Sequence, residues 1–172
     1  MTATMRATPD TADTLGHLSG MCASLAEAYL AAARETLRTI VSKPQLVEWT
    51  RLDRRQGAYT RTLLFDDRDM SVWAMNWAPG ASTPIHDHHC SCCFAVIRGE
   101  ITEAWYDMVE GTRANLTCEA VRRRGYVAAM LPSGPNIHQM RNDSPDFAVS
   151  VHIYGFNPRL HPNSVRKIYS KG

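Results

Sequence analysis

The chain has 172 residues, 44 % hydrophobic and 21 % charged, with a formal net charge of +2. That composition is globular and predicts one domain over residues 1–172 with a proper core; the charge is too even to imply nucleic acid as a partner. Five cysteines, three of them within Cys90–Cys93, are odd in number and too close to pair readily, which argues against a secreted disulfide framework and for reduced thiols.

The opening stretch MTATMRATPDTADTLGHLSG is polar and expected to fray. It holds no apolar run of signal-peptide or membrane-span length, so a cytoplasmic chain with no membrane partner is expected. From Leu15 to Val41 apolar residues recur at helical spacing: Leu15, Leu18, Cys22, Leu25, Tyr29, Leu37 and Ile40. Lys43-Pro44 stops this pattern, because proline cannot continue a helix. Pro44 and Gln45 then open a short second helix through Val47 and Trp49. Residues 1–57 thus read as a helical cap on one side of a core.

Beyond Gly57 the period changes to two. YTRTLLF, SVWAMNWA, STPIHDH, CCFAVIRG, EITEAWYD, LTCEAVR, YVAAML, NIHQMRN and FAVSVHIYG read as nine short strands. Turn signals separate them at Asp66-Asp67, Pro79-Gly80, Gly99, Glu110-Gly111, Gly125, Pro132-Ser133-Gly134-Pro135 and Asp143-Ser144-Pro145. Residues 58–172 therefore predict an antiparallel sandwich or barrel. The run Arg122-Arg123-Arg124 reads as a solvated turn before Gly125.

The densest chemistry lies in PIHDHHCSCC, residues 84–93. On a strand, residues i and i+2 share a face, so His86 and His88 present two imidazoles side by side, either to a metal or as one core and one exposed histidine. His138 follows the Pro/Gly-rich turn in LPSGPNIHQM, and a barrel could bring it to the same interior point. Three neutral imidazoles on rigid strands leave coordination positions open, as a catalytic metal requires. A structural zinc knot is disfavoured: C-x-C-C lacks the C-x2-C spacing, and no second knuckle follows. Asp87 should point away from His86 and His88, as an acceptor rather than a ligand. His89 and His161 are expected to be exposed, His17 to lie in a weakly structured segment, and Cys22, Cys90 and Cys118 to act as small hydrophobes.

The pattern G-x5-H-x-H from Gly80 to His88, with His138 downstream, resembles the two cupin motifs. Where the first motif carries an acidic ligand, this chain has Cys92 and Cys93. Three histidines with a cysteine in place of the acid resemble the cysteine dioxygenase family of thiol dioxygenases. YTRT resembles that family's Tyr-Thr-Arg motif, SVHIY its Ser-x-His-x-Tyr strand, and IHQMRN the segment around its third iron ligand. The resemblance spans roughly residues 59–158.

The resemblance implies a mostly β cupin fold: a small antiparallel β-barrel, or double-stranded β-helix, under an N-terminal helical cap. It implies Fe(2+) held by His86, His88 and His138. Arg61 and Tyr59 would bind the substrate, Arg61 by holding its carboxylate; the bland alternative for Arg61 is an arginine that snorkels to solvent. Ser150, His152 and Tyr154 would form a hydrogen-bonded relay; His152 could instead be a fourth ligand or a core histidine. Some members join a cysteine to the active-site tyrosine by a thioether, and the matching residue is Cys93 counted forward from His88 or Cys92 counted back from Gly99. Only one of the two can face the metal, because strand neighbours point oppositely. The implied reaction oxidises a small carboxylated thiol with O2 to a sulfinic acid, in a monomer or small homo-oligomer. Arg61 tilts the substrate toward L-cysteine, because relatives acting on 3-mercaptopropionate tend to have glutamine there. YGFNP and HHCSCC depart from the family text beside the site. They keep open 3-mercaptopropionate, another mercapto acid, a non-thiol carboxylated substrate and, third, a non-catalytic cupin sensor.

Overall fold

Thr8 begins the first element: its hydroxyl accepts the backbone N–H of Thr11 at 3.3 Å, satisfying a donor that the helix start leaves free. In the computed structural model, which describes residues 8–47, 52–132 and 136–172, helix α1 runs Pro9–Ser42. It therefore begins six residues before Leu15, and the stretch expected to fray, with His17, is helical from Pro9 onward. Only its C-terminal half caps a core. Leu30, Ala33 and Leu37 are buried, whereas Leu15, Leu18 and Leu25 are 53 %, 55 % and 69 % exposed. Cys22, expected among small buried hydrophobes, is exposed on the same helix. The second helix is a single 3-10 turn, Pro44–Leu46; Trp49 lies outside the described residues, as do Ser133, Gly134 and Pro135 of the expected turn.

Among the described residues ten strands follow: β1 (Tyr59–Asp66), β2 (Ser71–Trp77), β3 (Ile85–His88), β4 (Cys92–Arg98), β5 (Glu100–Glu110), β6 (Arg113–Arg123), β7 (Val127–Met130), β8 (His138–Arg141), β9 (Ala148–Tyr154) and β10 (Val165–Lys171). Nine correspond to the segments read from period-two alternation. β10 is the addition: of VRKIYSK only Tyr169 is buried, so no apolar alternation announces it. One sheet has the order β1-β2-β9-β4-β7. The other, β10-β3-β8-β5-β6, closes on itself because β10 pairs antiparallel with β3 and parallel with β6.

The two faces of the first sheet bury two different cores. Cys92, Phe94 and Val96 of β4 point between the sheets with Met75, Trp77 and Tyr154. Their neighbours Cys93, Ala95 and Ile97 point the other way, against Leu30, Ala33 and Leu37 of α1 and Val149, Val151 and Ile153 of β9. Burial on both faces explains why CCFAVI is a continuous apolar run. Leu37 is fully buried, and Leu37→Ala would cost about 2–5 kcal/mol.

Gly99 turns the chain from the first sheet into the second. Its φ is +68°, and an added Cβ would meet Ala148 at 3.1 Å, so both backbone shape and space favour glycine. Arg122 and Arg123 belong to β6 rather than to a solvated turn. Cys118 is exposed on β6, not buried. Among the described residues, no helix is long and apolar enough to cross a membrane.

Candidate metal centre and active-site cavity

His86 and His88 are alternate residues of β3, and His86 pairs in register with His138 of β8. This brings three buried imidazoles together with ring centroids 4.8, 4.8 and 5.1 Å apart. Each ring is held at Nδ1. His86 Nδ1 bonds the Pro84 carbonyl at 2.9 Å, His88 Nδ1 the Ser164 hydroxyl at 3.1 Å, and His138 Nδ1 the Glu103 carboxylate at 3.3 Å. An imidazole whose Nδ1–H is donated keeps its lone pair on Nε2, the form that ligates a metal. The Nε2 atoms of His88 and His138 lie 3.0 Å apart. Two nitrogens about 2.1 Å from one ion, at right angles, would be separated by roughly that distance.

Burial, reinforced by the neighbouring His138 ring, pushes His86 down to about 4 and His88 to about 2. Both are therefore neutral near pH 7. Three converging imidazoles on rigid strands, with no carboxylate in the cluster itself, fit a divalent transition metal such as iron or zinc. Asp87, between the two β3 histidines, is turned away: its Oδ2 accepts from Arg166 Nε at 3.0 Å and Tyr169 Oη at 3.0 Å, tying β3 to β10.

A cavity of about 610 Å³ opens onto the three rings. Its opposite wall comes from the first sheet, with Tyr59, Arg61, Trp77, Cys92, His152 and Tyr154 among its lining residues. Tyr59 stacks on Trp77 at 5.0 Å. Arg61 is exposed toward the cavity, and its guanidinium lies 5.3 Å above the Trp73 ring rather than against a carboxylate.

Ser150, His152 and Tyr154 alternate on β9 onto the cavity side. Ser150 Oγ bonds His152 Nε2 at 2.7 Å, and His152 Nδ1 bonds Tyr154 Oη at 3.3 Å. His152 has no place in the three-ring cluster; burial takes it down to about 3, so it is neutral. Tyr154 is raised well above the usual phenol range, by burial first and then by Cys92. Its ring lies 5.7 Å from that of His88.

Of the two cysteines, Cys92 lines the cavity and Cys93 does not. Cys93 is packed under α1, where burial lifts its thiol to about 11. Cys90 is buried, and its thiol is raised to about 12. His89, expected to be exposed, is half-buried: it bonds the Asn163 carbonyl at 3.0 Å and packs 5.7 Å from Phe156 and 5.1 Å from the exposed His161.

Sequence reasoning missed three contributors. Trp77 anchors the relay by donating its indole N–H to Ser150 Oγ at 2.9 Å. Ser164 reaches His88 from the loop before the unforeseen β10. Glu103, fully buried, accepts from Arg122 at 2.9 Å as well as from His138. Burial raises Glu103, but His138 and then Arg122 pull it net below the usual carboxylate value.

Solved structures share the fold. An uncharacterized conserved protein with a double-stranded β-helix domain from Klebsiella pneumoniae subsp. pneumoniae is 18 % identical, with TM-score 0.51, covering 67 % of this chain and 90 % of that one. The protein TT1209 from Thermus thermophilus is also 18 % identical at TM-score 0.51, covering 65 % and 97 %. A cupin-superfamily sugar phosphate isomerase from Silicibacter pomeroyi is 17 % identical at TM-score 0.50, covering 65 % and 76 %. Likeness at this level shows a cupin, double-stranded β-helix fold and nothing about chemistry. The narrower assignment comes from sequence: the family model described as cysteine dioxygenase type I matches residues 22–162, a span that takes in most of α1, both sheets up to β9 and every cavity residue named above from Tyr59 to Tyr154, and the chain therefore belongs to that family.

Proposed function

We propose that the protein is an iron(II)-dependent thiol dioxygenase that oxidises a small carboxylated thiol, L-cysteine first, to its sulfinic acid. One observation supports this above the others. Three convergent Nε2 atoms, with no carboxylate among them, face across one cavity a guanidinium free to take a carboxylate. The reaction is RSH + O2 → RSO2H. Both oxygen atoms end on sulfur, and dioxygen gains the electrons that sulfur loses, so no external reductant is needed.

Iron(II), held by His86, His88 and His138, would supply the redox centre at which a closed-shell thiolate can react with dioxygen. The protein's own groups do the rest. Arg61 offers two parallel N–H donors to the substrate carboxylate, fixing which way the thiol points. Tyr59, stacked on Trp77, stiffens the wall beside it. Trp77 donates to Ser150 Oγ, which leaves the Ser150 proton for His152 Nε2 and the His152 Nδ1 proton for Tyr154 Oη. In that arrangement the phenol keeps its own proton and aims it into the cavity, where it can steer or protonate the reacting oxygen.

The cavity volume favours a second reading. About 610 Å³ is the size of pockets that hold drug-sized ligands, so a mercapto acid larger than L-cysteine would also fit.

The test is oxygen consumption by anaerobically prepared, iron(II)-loaded protein given L-cysteine, 3-mercaptopropionate and longer mercapto acids in turn. The expected result is one sulfinate formed per dioxygen consumed, abolished in His86→Ala. Iron-loaded protein that consumes no oxygen with any of these thiols would overturn the thiol reading.

A further inference from the structure

The ligand set lacks an acid, yet a carboxylate stands one imidazole away. Glu103 sits on β5, where the register pairs it with Met140 and its neighbour-but-one Trp105 with His138. It is fully buried, and both of its oxygens are in use: Oε1 bonds His138 Nδ1 at 3.3 Å, and Oε2 accepts from Arg122 Nε at 2.9 Å. Arg122 approaches from β6, with its guanidinium 4.3 Å above the Tyr126 ring and its side chain 22 % exposed. Removing a carboxylate from water is costly unless each oxygen finds a donor, so this geometry holds Glu103 at one place in one orientation. His86 and His88 meet only uncharged acceptors at Nδ1; among the three rings, His138 alone meets a carboxylate.

We infer that Glu103, oriented by Arg122, is a positioning residue that fixes His138 for metal binding and returns to the centre the negative charge its ligands lack. The inference rests on the metal-binding reading of the three histidines. Glu103 touches neither substrate nor metal. It acts through His138, keeping the proton on Nδ1 and the lone pair on Nε2, and it makes that ring a stronger donor. A buried ion pair that served folding alone would have no reason to contact a ligand ring, and its loss would leave metal affinity unchanged.

Metal-stripped wild type, Glu103→Gln and Arg122→Met are titrated with cobalt(II) alone, following ligand-field absorption, with thermal midpoints recorded on the stripped proteins. Glu103→Gln keeps the shape and removes the charge; its cobalt(II) Kd is expected to rise about 10- to 100-fold. Arg122→Met leaves the carboxylate without its anchor, and a smaller, several-fold rise is expected. A Glu103→Gln Kd within twofold of wild type would overturn the inference. Should that variant not fold, Arg122→Met decides, and an unchanged Kd there overturns it. Wild type that binds no cobalt(II) overturns the metal reading and this inference together. Tight wild-type binding that weakens in Glu103→Gln supports the inference even where no thiol is oxidised, which keeps it separable from the proposed activity.

Discussion

Cys92 and Tyr154 face each other directly across the β4–β9 ladder, one register step from the Cys93–Ile153 pair that turns to the opposite face. Both are buried, and both line the cavity. Opposed side chains in such a pair have Cβ atoms about 5 Å apart. Any thioether to the tyrosine must therefore use Cys92. Its formation joins Sγ to a ring carbon and releases two hydrogens, with dioxygen as the two-electron acceptor. Peptide mapping after turnover with iron(II), thiol and oxygen should place such a bond at Cys92–Tyr154 in both wild type and Cys93→Ala. A crosslink at Cys93 would contradict the register. Without any crosslink, Cys92→Ser should still alter turnover, whereas Cys93→Ser should act on stability, through the core beneath α1.

Arg61 should govern substrate affinity without supporting the fold. It is exposed toward the cavity and rests on Trp73. Hydrogen bonds to a charged group are worth about 1.5–3 kcal/mol, so Arg61→Gln should lower kcat/KM for L-cysteine about 10- to 100-fold with little change in melting temperature. Arg61→Lys should recover only part of this, because a point charge cannot reproduce two parallel donors. Steady-state kinetics with L-cysteine and its decarboxylated analogue would check the assignment. The analogue should be insensitive to either substitution, and equal losses on both would sink the carboxylate role.

The strands and the three rings were legible because burial dictated them. CCFAVI and AVSVHIY are buried on both faces, with only the alternate Ser150 and His152 of the second polar, and i,i+2 spacing placed His86 with His88. β10 was not legible: it is held by Asp87–Arg166 and Asp87–Tyr169 bonds to a distant strand, and such pairing leaves no periodic trace. Ser164 was lost with it. The early start of α1 is signalled by Thr8, a capping residue, but its first turn carries no apolar periodicity, which begins only at Leu15 and Leu18. Glu103 did leave a signal. In EITEAWYD it shares strand parity with Ile101 and Trp105, so the alternation that places those two inward places a carboxylate inward as well. Arg122, three residues before Gly125, is the cation that makes such a position tolerable.

Acid should destabilise the metal-stripped protein over a defined range. Folded His86, His88 and His152 sit at about 4, 2 and 3, against an ordinary value of 6.5 that the unfolded chain would show. Below 6.5 the unfolded state takes up protons that the folded state refuses, so stability falls as pH drops, continuing down to about 4, where His86 also protonates. Above 6.5 these groups contribute no slope. Thermal midpoints measured from about pH 8 to about pH 4.5 should be flat and then decline, with a shallower decline in His152→Phe, which removes one of the three groups. Divalent metal, binding the neutral rings of the folded state only, should raise the midpoint near pH 7, and that gain should shrink with acid. A midpoint that rises on acidification would contradict the burial of these rings.

The relay makes its members separable. Tyr154→Phe keeps the ring beside His88 and removes the proton proposed to meet the reacting oxygen. General acid contributions run to about 10²–10⁴-fold, so kcat should fall by at least about 10²-fold while metal content and KM stay near wild type. Ser150→Ala leaves the phenol in place but strips the acceptor from the Trp77 indole and the partner from His152 Nε2. Leaving those buried groups unpaired should cost about 1–3 kcal/mol of stability, with a smaller loss of kcat than in Tyr154→Phe. The contrast is what tests the arrangement, because a merely structural Ser150–His152–Tyr154 network would show both variants losing stability and neither losing kcat. A Tyr154→Phe enzyme with wild-type kcat would remove the phenol from the mechanism, leaving His152 as a buried ring that holds the β9 face in place.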